Sequence, residues 1–367
     1  MLRSSLSTLL RGITIDSSLI FRYLSINRIM PKRIQSITVS AAKSTGNITL
    51  PPEYTPPTKG FVSTLPVSWV PYAQLMRIER PAGLYAFYVP YILGLAFAAC
   101  LSKETIQPSI LLKHSGLLLV GCVILRGASC TWNDNMDQEY DRAVARCRNR
   151  PIARRAVSTA QGHIFTLALY LAGAGLVSIW PKECAYDAIV IAILFTIYPF
   201  GKRFTNYPQF ILGFPFAAGI VFSCHLVGVD PFAGGVMGLS TAFLMAANVS
   251  WTMIYDTIYA HQDLKDDLKA GVKSMAVRFK DSTKTLTSVL AILQVLLLVK
   301  VGADLELSSL YYIITCAGTA VALAAMISLV DLEVPASCAW WFKMDFWFAG
   351  GTMIGGFLAQ YLQRVFL

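Results

Sequence analysis

The sequence has few of the residues on which soluble enzymes and thiolate metal sites depend. Only 14% of its 367 residues are charged, and only four are histidines. Its eight cysteines form no Cys-x-x-Cys pair and no Cys/His ligand spacing, so a zinc site or a disulfide framework is not predicted. Apolar residues, in contrast, make up 55% of the chain, and its mean hydropathy is +0.55. This composition predicts a protein whose solvent is lipid.

Long apolar runs indicate the fold class. Runs of about 17 to 25 mainly apolar residues can cross the hydrocarbon core as helices, whereas membrane β-barrels have short alternating segments. The sequence therefore predicts an all-α, polytopic integral-membrane bundle of nine transmembrane helices over residues 66–367, with a central cavity capped by two Asp-rich motifs. The predicted spans are 83–101, 112–132, 163–180, 186–200, 209–228, 232–255, 285–301, 308–330 and 344–363.

The formal net charge of +10 is unevenly distributed. Basic residues collect in the connections that follow the second, fourth and sixth predicted spans. Membrane proteins carry such an excess on the cytoplasmic or matrix side, which explains the charge without nucleic-acid binding. The bilayer is therefore the expected partner, and no feature indicates an obligate protein partner.

Residues 1–65 have a different composition from the rest of the chain. They are rich in Ser, Thr and basic residues and contain only two acids, Asp16 and Glu53. An acid-poor, Arg-rich leader resembles a mitochondrial transit peptide, which would place the protein in the mitochondrial inner membrane. A disordered tail is the alternative, with the endoplasmic reticulum or another endomembrane as the location. A start at Met30 would remove residues 1–29 of this segment.

Two acidic motifs follow the second and sixth predicted spans. In the first, a continuous helix would place Asn133, Asp134, Asp137 and Asp141 within an arc of about 100°. In the second, the same arithmetic places Asp256, Asp263 and Asp267 within about 40° of one another, with Tyr259 nearby and Asp266 off that face.

Like charges on one helix face repel unless cations neutralise them. Carboxylates without His or Cys suit Mg²⁺, which commonly binds a few carboxylates together with waters and substrate phosphates. Both motifs follow even-numbered spans, so they are expected on the same membrane face. We therefore predict a Mg²⁺-dependent diphosphate site between them.

Basic residues near the motifs are candidates for binding phosphate oxygens. They are Lys202, Arg203, Arg142, Arg146 and Lys273. Arg126 lies within an apolar span, where a charge is costly and is a functional candidate by default. It is expected to pair with an aspartate or to bind a carboxylate of a substrate.

An ion-coupled transporter is the alternative function, because intramembrane acids often mark ion pathways. Transporters place such acids near the bilayer midplane at broken helices. Here the acids lie at span ends beside basic loops, which favours an enzyme.

The motifs together resemble those of the UbiA superfamily of intramembrane prenyltransferases. The resemblance covers about residues 66–367 and is carried by RIERPAG (77–83), RGASCTWNDNMDQEYD (126–141), RPIARRAVS (150–158), YPFGKR (198–203) and YDTIYAHQDLKDDLKAGVKS (255–274). Some of these resemble the 4-hydroxybenzoate polyprenyltransferase branch of ubiquinone synthesis. Others look more like fungal meroterpenoid relatives that farnesylate orsellinic-type acids. Arg155 departs from the family pattern, which usually has Gly there.

The resemblance implies a mechanism and its residues. Mg²⁺ would activate a prenyl diphosphate, which ionises toward a carbocation that the ring of a phenolic acid attacks. Arg77, Arg80 or Arg126 would hold the acceptor carboxylate. The implied metal ligands are Asp134, Asp137, Asp141, Asp263 and Asp267.

Overall fold

A computed structural model describes residues 54–366, and every regular element within that range is helical. Three 3₁₀ turns lie at Phe61–Thr64, His261–Asp263 and Lys280–Ser282, and a π-helical turn lies at Tyr312–Ala317. The helices are α1 Val70–Leu75, α2 Ala82–Leu101, α3 Pro108–Met136, α4 Gln138–Ala143, α5 Thr159–Val177, α6 Lys182–Phe204, α7 Pro208–Leu226, α8 Gly235–Ala260, α9 Leu264–Ala270, α10 Met275–Phe279, α11 Thr283–Asp304, α12 Ser309–Tyr311, α13 Gly318–Leu329 and α14 Pro335–Phe366. The predicted all-α class is confirmed.

Eight helical segments of the described chain are long and apolar enough to cross a membrane. They correspond to the first eight predicted spans. The ninth predicted span, 344–363, lies inside α14, which is not among the eight. Asp345 and four glycines make that stretch less apolar than the other spans. The protein is thus a multi-pass membrane protein, and the part of it that the structure describes contains eight candidate spans and one further long helix.

The most apolar stretches of α2, α7 and α8 are mainly buried at the centre of the bundle, whereas few residues are buried in the corresponding stretches of α3 and α5. Gly94 shows how closely α2 and α7 approach, because a Cβ there would lie 2.6 Å from the carbonyl oxygen of Ile220. Small residues commonly permit such contacts between membrane helices. The close packing holds in place the residues that α2 and α7 contribute to the site described below.

A polar contact joins α8 to α14. The indole Nε1 of Trp251 donates a hydrogen bond to Oδ2 of Asp345 at 2.6 Å, and both side chains are buried. Inside a membrane protein such hydrogen bonds hold helices together at fixed positions. One turn nearer the site, Tyr255 on α8 packs edge-on against Phe342 of α14 with ring centroids 5.8 Å apart.

Residues 1–53 of the predicted leader (1–65) lie outside the described residues. Tyr54 is the first described residue of this segment, and its hydroxyl donates a hydrogen bond to Gln74 at 3.3 Å. The guanidinium of Arg154 lies 3.7 Å from the centre of the Tyr54 ring. The domain boundary at residue 65 stays a prediction.

Arg155 adopts a left-handed backbone conformation with a φ of 65°. This conformation suits glycine and strains other residues by about 1–3 kcal/mol. Glycine also makes the unfolded chain more flexible, which stabilises the unfolded state and offsets part of that gain. Since Arg155 is exposed, Arg155→Gly is expected to raise the free energy of unfolding by roughly 0.5–1 kcal/mol. Arg155→Val should lower it, because a β-branched residue fits this region poorly. Thermal unfolding in detergent measures both, and equal midpoints for the two variants would contradict the strain.

Candidate active site

A cavity of about 580 Å³ lies where both acidic motifs end. Helices α2, α3, α6, α7, α8 and α14 contribute to its walls. Thirteen of the predicted site residues line it: Arg77, Arg80, Arg126, Asn133, Asp134, Asp137, Asp141, Arg146, Lys202, Asp256, Tyr259, Asp263 and Asp267. Side chains that are more than 180 residues apart in sequence therefore share one chamber.

The first motif does not form the continuous helix on which its predicted geometry depended. Helix α3 ends at Met136, and Asp137 leaves the helical conformation with a ψ of 6° before α4 begins. Backbone hydrogen bonds nevertheless continue through the break, from Asp137 to Asn133 at 2.8 Å and from Asp141 to Asp137 at 2.9 Å. Because the turn is preserved, all three aspartates still line the cavity.

The second motif is also interrupted. A 3₁₀ turn at His261–Asp263 separates α8 from α9, yet Asp256, Asp263 and Asp267 all line the cavity. Asp266 lies outside the cavity lining and accepts a hydrogen bond from the backbone N–H of Ala145 at 3.1 Å. This contact joins the loop after the first motif to the second motif.

Basic side chains neutralise the aspartates of the first motif. Arg77 Nη2 lies 2.6 and 2.8 Å from the two carboxylate oxygens of Asp134, which is 1% exposed. Lys202 Nζ lies 2.8 Å from Oδ2 of Asp137. These ion pairs offset part of the cost of burying the two carboxylates, because an uncompensated buried charge is very costly.

Arg150 is the principal site residue that the sequence reasoning missed. Its Nη1 lies 3.1 Å from Asp134 and 2.9–3.0 Å from both oxygens of Asp141, so one guanidinium bridges two aspartates. Burial lowers the pKa of Arg150, but the negative charges of Asp134 and Asp141 have the larger combined effect. The pKa of Arg150 is therefore raised well above its usual value. Burial raises the pKa of Asp141 to about 6, in spite of the opposing effect of Arg150. The available signal was its position in the RPIAR motif.

Arg146 connects the two motifs. Its Nε donates to Oδ1 of Asp263 at 2.9 Å, its Nη2 contacts the other oxygen, and its Nη1 donates to the hydroxyl of Tyr259 at 3.3 Å. Burial opposes the charge, but the hydrogen bond to Asp263 raises the pKa of Arg146 above its usual value. The loop after the first motif therefore places a positively charged guanidinium beside Asp263 of the second motif.

The donor set fits Mg²⁺ that shares its coordination with a substrate. Within residues 54–366 no three His, Cys, Asp or Glu side chains lie close enough to form a protein-only metal cage. Mg²⁺ does not need one, since it commonly uses one or two carboxylates plus phosphate oxygens and waters. Oδ1 of Asp137 is buried and has no hydrogen-bond partner, which leaves a hard anionic oxygen free to bind a cation.

Arg126 is buried, and within residues 54–366 its hydrogen bonds go to backbone carbonyls and not to an aspartate. Its Nη1 donates to the carbonyl of Arg77 at 3.1 Å and its Nη2 to the carbonyl of Arg80 at 2.6 Å. Arg77 has a φ of 57°, an unfavourable conformation that surrounding contacts must hold. Arg126 thus fixes the turn that presents Arg77 to Asp134. Of the two roles expected for Arg126, pairing with an aspartate is not seen within residues 54–366, and binding of a substrate carboxylate stays a prediction.

Replacing Arg126 by lysine should reduce kcat for the reaction proposed below by about tenfold or more. A lysine ammonium cannot reproduce the fork that reaches two carbonyls, and small displacements in a site can cost up to about 10²-fold. Steady-state kinetics of Arg126→Lys measures the effect. Arg364→Lys is the matched control, because Arg364 also donates to backbone carbonyls, with its shortest hydrogen bonds to Cys100 and Ser102, and it lies outside the cavity lining. Equal kinetics in both variants would contradict this role.

Three predicted phosphate-binding residues lie outside the cavity lining. Arg142 donates to the carbonyl of Ala153 at 3.1 Å, and Arg203 donates to the carbonyl of Met136 at 2.8 Å. Lys273 is exposed. The first two therefore hold the loops around the site in the described structure.

The opposite end of the cavity is apolar. Phe87 of α2, Phe195 of α6 and Phe216 of α7 line it, and the two rings Phe87 and Phe195 stack with centroids 5.1 Å apart. The cavity thus has a charged end at the motifs and an aromatic end deeper in the bundle. This arrangement fits a ligand with an anionic head and a hydrocarbon tail.

Fold and site define a multi-pass membrane protein with an amphipathic ligand cavity between its helices. The chain belongs to the UbiA prenyltransferase family, whose family model matches residues 86–349. It is 40% identical over 281 residues to the prenyltransferase ascA of Acremonium egyptiacum, covering 77% of this chain and 83% of that protein. It is 33% identical over 309 residues to the prenyltransferase stbC of Stachybotrys bisbyi, covering 83% and 92%. The predicted resemblance is confirmed, and the chain is an enzyme, a prenyltransferase.

Solved structures share the fold at low sequence identity. A UbiA homolog from Aeropyrum pernix K1 aligns with a TM-score of 0.60 at 17% identity, over 75% of this chain and 97% of that chain. A UbiA homolog from Archaeoglobus fulgidus bound to GPP and Mg²⁺ aligns with a TM-score of 0.58 at 18% identity, over 81% and 100%. Membership of this family favours the enzyme over an ion-coupled transporter.

Proposed function

We propose that this protein transfers a prenyl group from a Mg²⁺-bound prenyl diphosphate to the ring of a phenolic acid. The observation that carries the proposal is the meeting of two aspartate motifs and their cations at one end of a cavity whose other end is aromatic. In this proposal α14 provides the ninth membrane span. The residues that would hold Mg²⁺ are Asp134, Asp137, Asp141, Asp263 and Asp267.

Mg²⁺, when bound, would neutralise diphosphate oxygens and so make the diphosphate a better leaving group. Lys202, Arg146 and Arg150 already occupy the charged end of the cavity, each beside a carboxylate. These cations would bind diphosphate oxygens through charge-assisted hydrogen bonds and stabilise the charge that develops on departure. Asn133, Asp256 and Tyr259 line the same end and would contact the donor head.

The reaction exchanges one bond for another. The allylic C–O bond breaks, and the diphosphate leaves with the electron pair. A ring carbon ortho to the phenol then attacks the allylic carbon, and the ring proton passes to a carboxylate or to the released diphosphate. Aromatic walls such as Phe87, Phe195 and Tyr255 would exclude the water that otherwise quenches the cation.

Arg80 is the best placed residue to hold the acceptor carboxylate. Arg77 is engaged by Asp134, and Arg126 by two carbonyls. Arg80 lines the cavity, its side chain is 51% exposed, and its ion-pair contact is a long one of 3.8 Å to Glu79. Partial burial and the neighbouring Arg77 lower the pKa of Arg80. An anion bound beside the two guanidinium groups would be favourable, because it would offset their mutual repulsion.

Arg80→Gln is expected to raise the KM for the acceptor acid by about tenfold or more, with little change in the KM for the donor. The methyl ester of the same acid serves as the matched control, since it has no carboxylate to lose. Kinetics with the acid and its ester on both proteins measure the effect. An equal loss for acid and ester would exclude Arg80 as the carboxylate contact.

Relatives guide the choice of substrates. A protein of Aspergillus novofumigatus that is 40% identical over 226 residues, covering 62% of this chain and 70% of that protein, is named a DMOA farnesyltransferase. We therefore propose a farnesyl donor and an orsellinic-type acid. The longer polyprenyl donors and 4-hydroxybenzoate of ubiquinone synthesis are the second pair, which would fit a mitochondrial rather than an endomembrane location.

Purified protein in lipid nanodiscs would be given labelled farnesyl or a longer prenyl diphosphate with each acid. The proposal expects label in the phenolic product, with Mg²⁺ required and EDTA abolishing transfer. Release of diphosphate without formation of a prenylated ring would overturn the proposal. Transfer that continues at the same rate after Mg²⁺ is removed would also overturn it. Transfer to 4-hydroxybenzoate alone would select the ubiquinone pair.

A further inference from the structure

A second cavity, of about 420 Å³, is lined mainly by apolar side chains, most of them on α3, α5 and α6. It reaches the outside of the bundle, where Ile189 of its lining is 58% exposed. Helices α2, α3, α6 and α7 line both cavities. On each of these helices the residues facing the second cavity lie farther from the acidic motifs than those facing the first. The second cavity is therefore positioned beyond the aromatic end of the first.

The spacing along α6 and α2 locates the boundary between the cavities. Lys202 and Phe195 line the first cavity, whereas Ile191 lines the second. On α2, Phe87 lines the first cavity and Tyr91 the second. Helical residues four apart lie nearly above one another, so Phe87 and Phe195 stand directly at the boundary.

Three rings close that boundary, and we name them the phenylalanine layer: Phe87, Phe195 and Phe216. Their centroids are 5.0 to 5.6 Å apart, with one stacked and two edge-on contacts. All three side chains are buried. Aromatic pairs at these distances attract one another, so the layer is a stable partition.

We propose that the phenylalanine layer sets the length of the prenyl chain that the enzyme accepts. This inference rests on the proposed function, because it requires a donor whose diphosphate is bound among the aspartates. Lys202 and Phe195 are seven residues apart, about 10 Å along the helix axis. A chain that extends from the charged end into the bundle therefore meets the layer, and apolar space for further isoprene units lies behind it.

The test compares geranyl, farnesyl and geranylgeranyl diphosphates as donors for wild-type enzyme and Phe195→Ala. Removing the ring joins the two cavities, so the ratio of kcat/KM for geranylgeranyl over farnesyl diphosphate should rise by about tenfold or more. Phe195→Leu should shift the ratio in the same direction by less, and it serves if the alanine variant does not fold.

A second substitution tests where the longer chain goes. Ala192 lines the second cavity and not the first. Ala192→Phe alone should leave the ratio of kcat/KM for geranylgeranyl over farnesyl diphosphate unchanged. When it is combined with Phe195→Ala or Phe195→Leu, the ratio should return toward the wild-type value, because the new ring fills the added space.

The outcomes separate this inference from the proposed function. An unchanged ratio in a folded layer variant would overturn the role of the layer. A shift that Ala192→Phe does not reverse would equally overturn it, since the chain would then extend elsewhere. Absence of transfer from every donor by folded wild-type enzyme would instead contradict the proposed function.

Discussion

Replacing Asp134 by asparagine is expected to lower kcat by about 10²–10³-fold or more. Asp134 is buried, receives hydrogen bonds from Arg77 and Arg150, and faces the cavity beside Asp137. Asparagine keeps the shape but loses the negative charge that a metal ion would require. The decisive measurement is the initial rate of prenyl transfer at saturating substrates, over a range of Mg²⁺ concentrations.

Asp266→Asn is the matched control for Asp134→Asn. Asp266 belongs to the second motif but lies outside the cavity lining, where it accepts a hydrogen bond from the Ala145 backbone. It should retain activity within a few-fold of wild type. Near-normal turnover of folded Asp134→Asn at ordinary Mg²⁺ concentrations would remove Asp134 from the metal site.

Replacing Arg150 by methionine is expected to lower the free energy of unfolding by about 3–5 kcal/mol, because it leaves the buried carboxylate of Asp141 without its ion-pair partner and leaves Asp134 paired with Arg77 alone. The side chain of Arg150 is 17% exposed and those of Asp134 and Asp141 are 1% and 9% exposed, so solvent screens little of this loss. If Asp134 and Asp141 bind Mg²⁺, the ion should restore part of the lost stability. The midpoint of thermal unfolding, Tm, would be measured in detergent with and without Mg²⁺.

The Mg²⁺ effect on Tm should be larger in Arg150→Met than in wild-type protein, where the guanidinium competes for the same oxygens. Arg278→Met provides the control, because Arg278 is exposed on α10 and lies outside the cavity lining. A Tm near that of wild type in Arg150→Met would contradict the bridging ion pairs. A large loss of Tm that Mg²⁺ does not alter would contradict metal binding by these two aspartates.

The membrane fold and most side chains of the candidate site could be predicted from sequence because both depend on local pattern. Apolar run length locates eight candidate spans, and helical spacing groups the aspartates of each motif. The same reasoning assigned lower weight to Asp266, which the structure places outside the cavity lining. Counting the spans predicts that the two motifs lie on the same membrane face, and residues of both motifs line one cavity.

What sequence could not provide depends on tertiary contacts. Arg126 was recognised as a costly intramembrane charge, but its partners are carbonyls 46 and 49 residues away. Arg150 looked like one more topology signal among many arginines, and only the folded loop brings it to Asp134. Breaks in the helices at Asp137 and at His261–Asp263 were also unforeseen, since helical spacing assumes an unbroken helix.

The central claim is that both motifs together bind one metal–diphosphate unit, and it has one direct test. The protein would be crystallised with Mn²⁺ and an unreactive thiodiphosphate analogue of farnesyl diphosphate, and the anomalous signal of Mn²⁺ would be located. We expect Mn²⁺ beside Asp134 and Asp137 on one side and beside Asp263 and Asp267 on the other, with the diphosphate between them. Mn²⁺ and diphosphate bound at one motif alone, or outside the cavity, would contradict it.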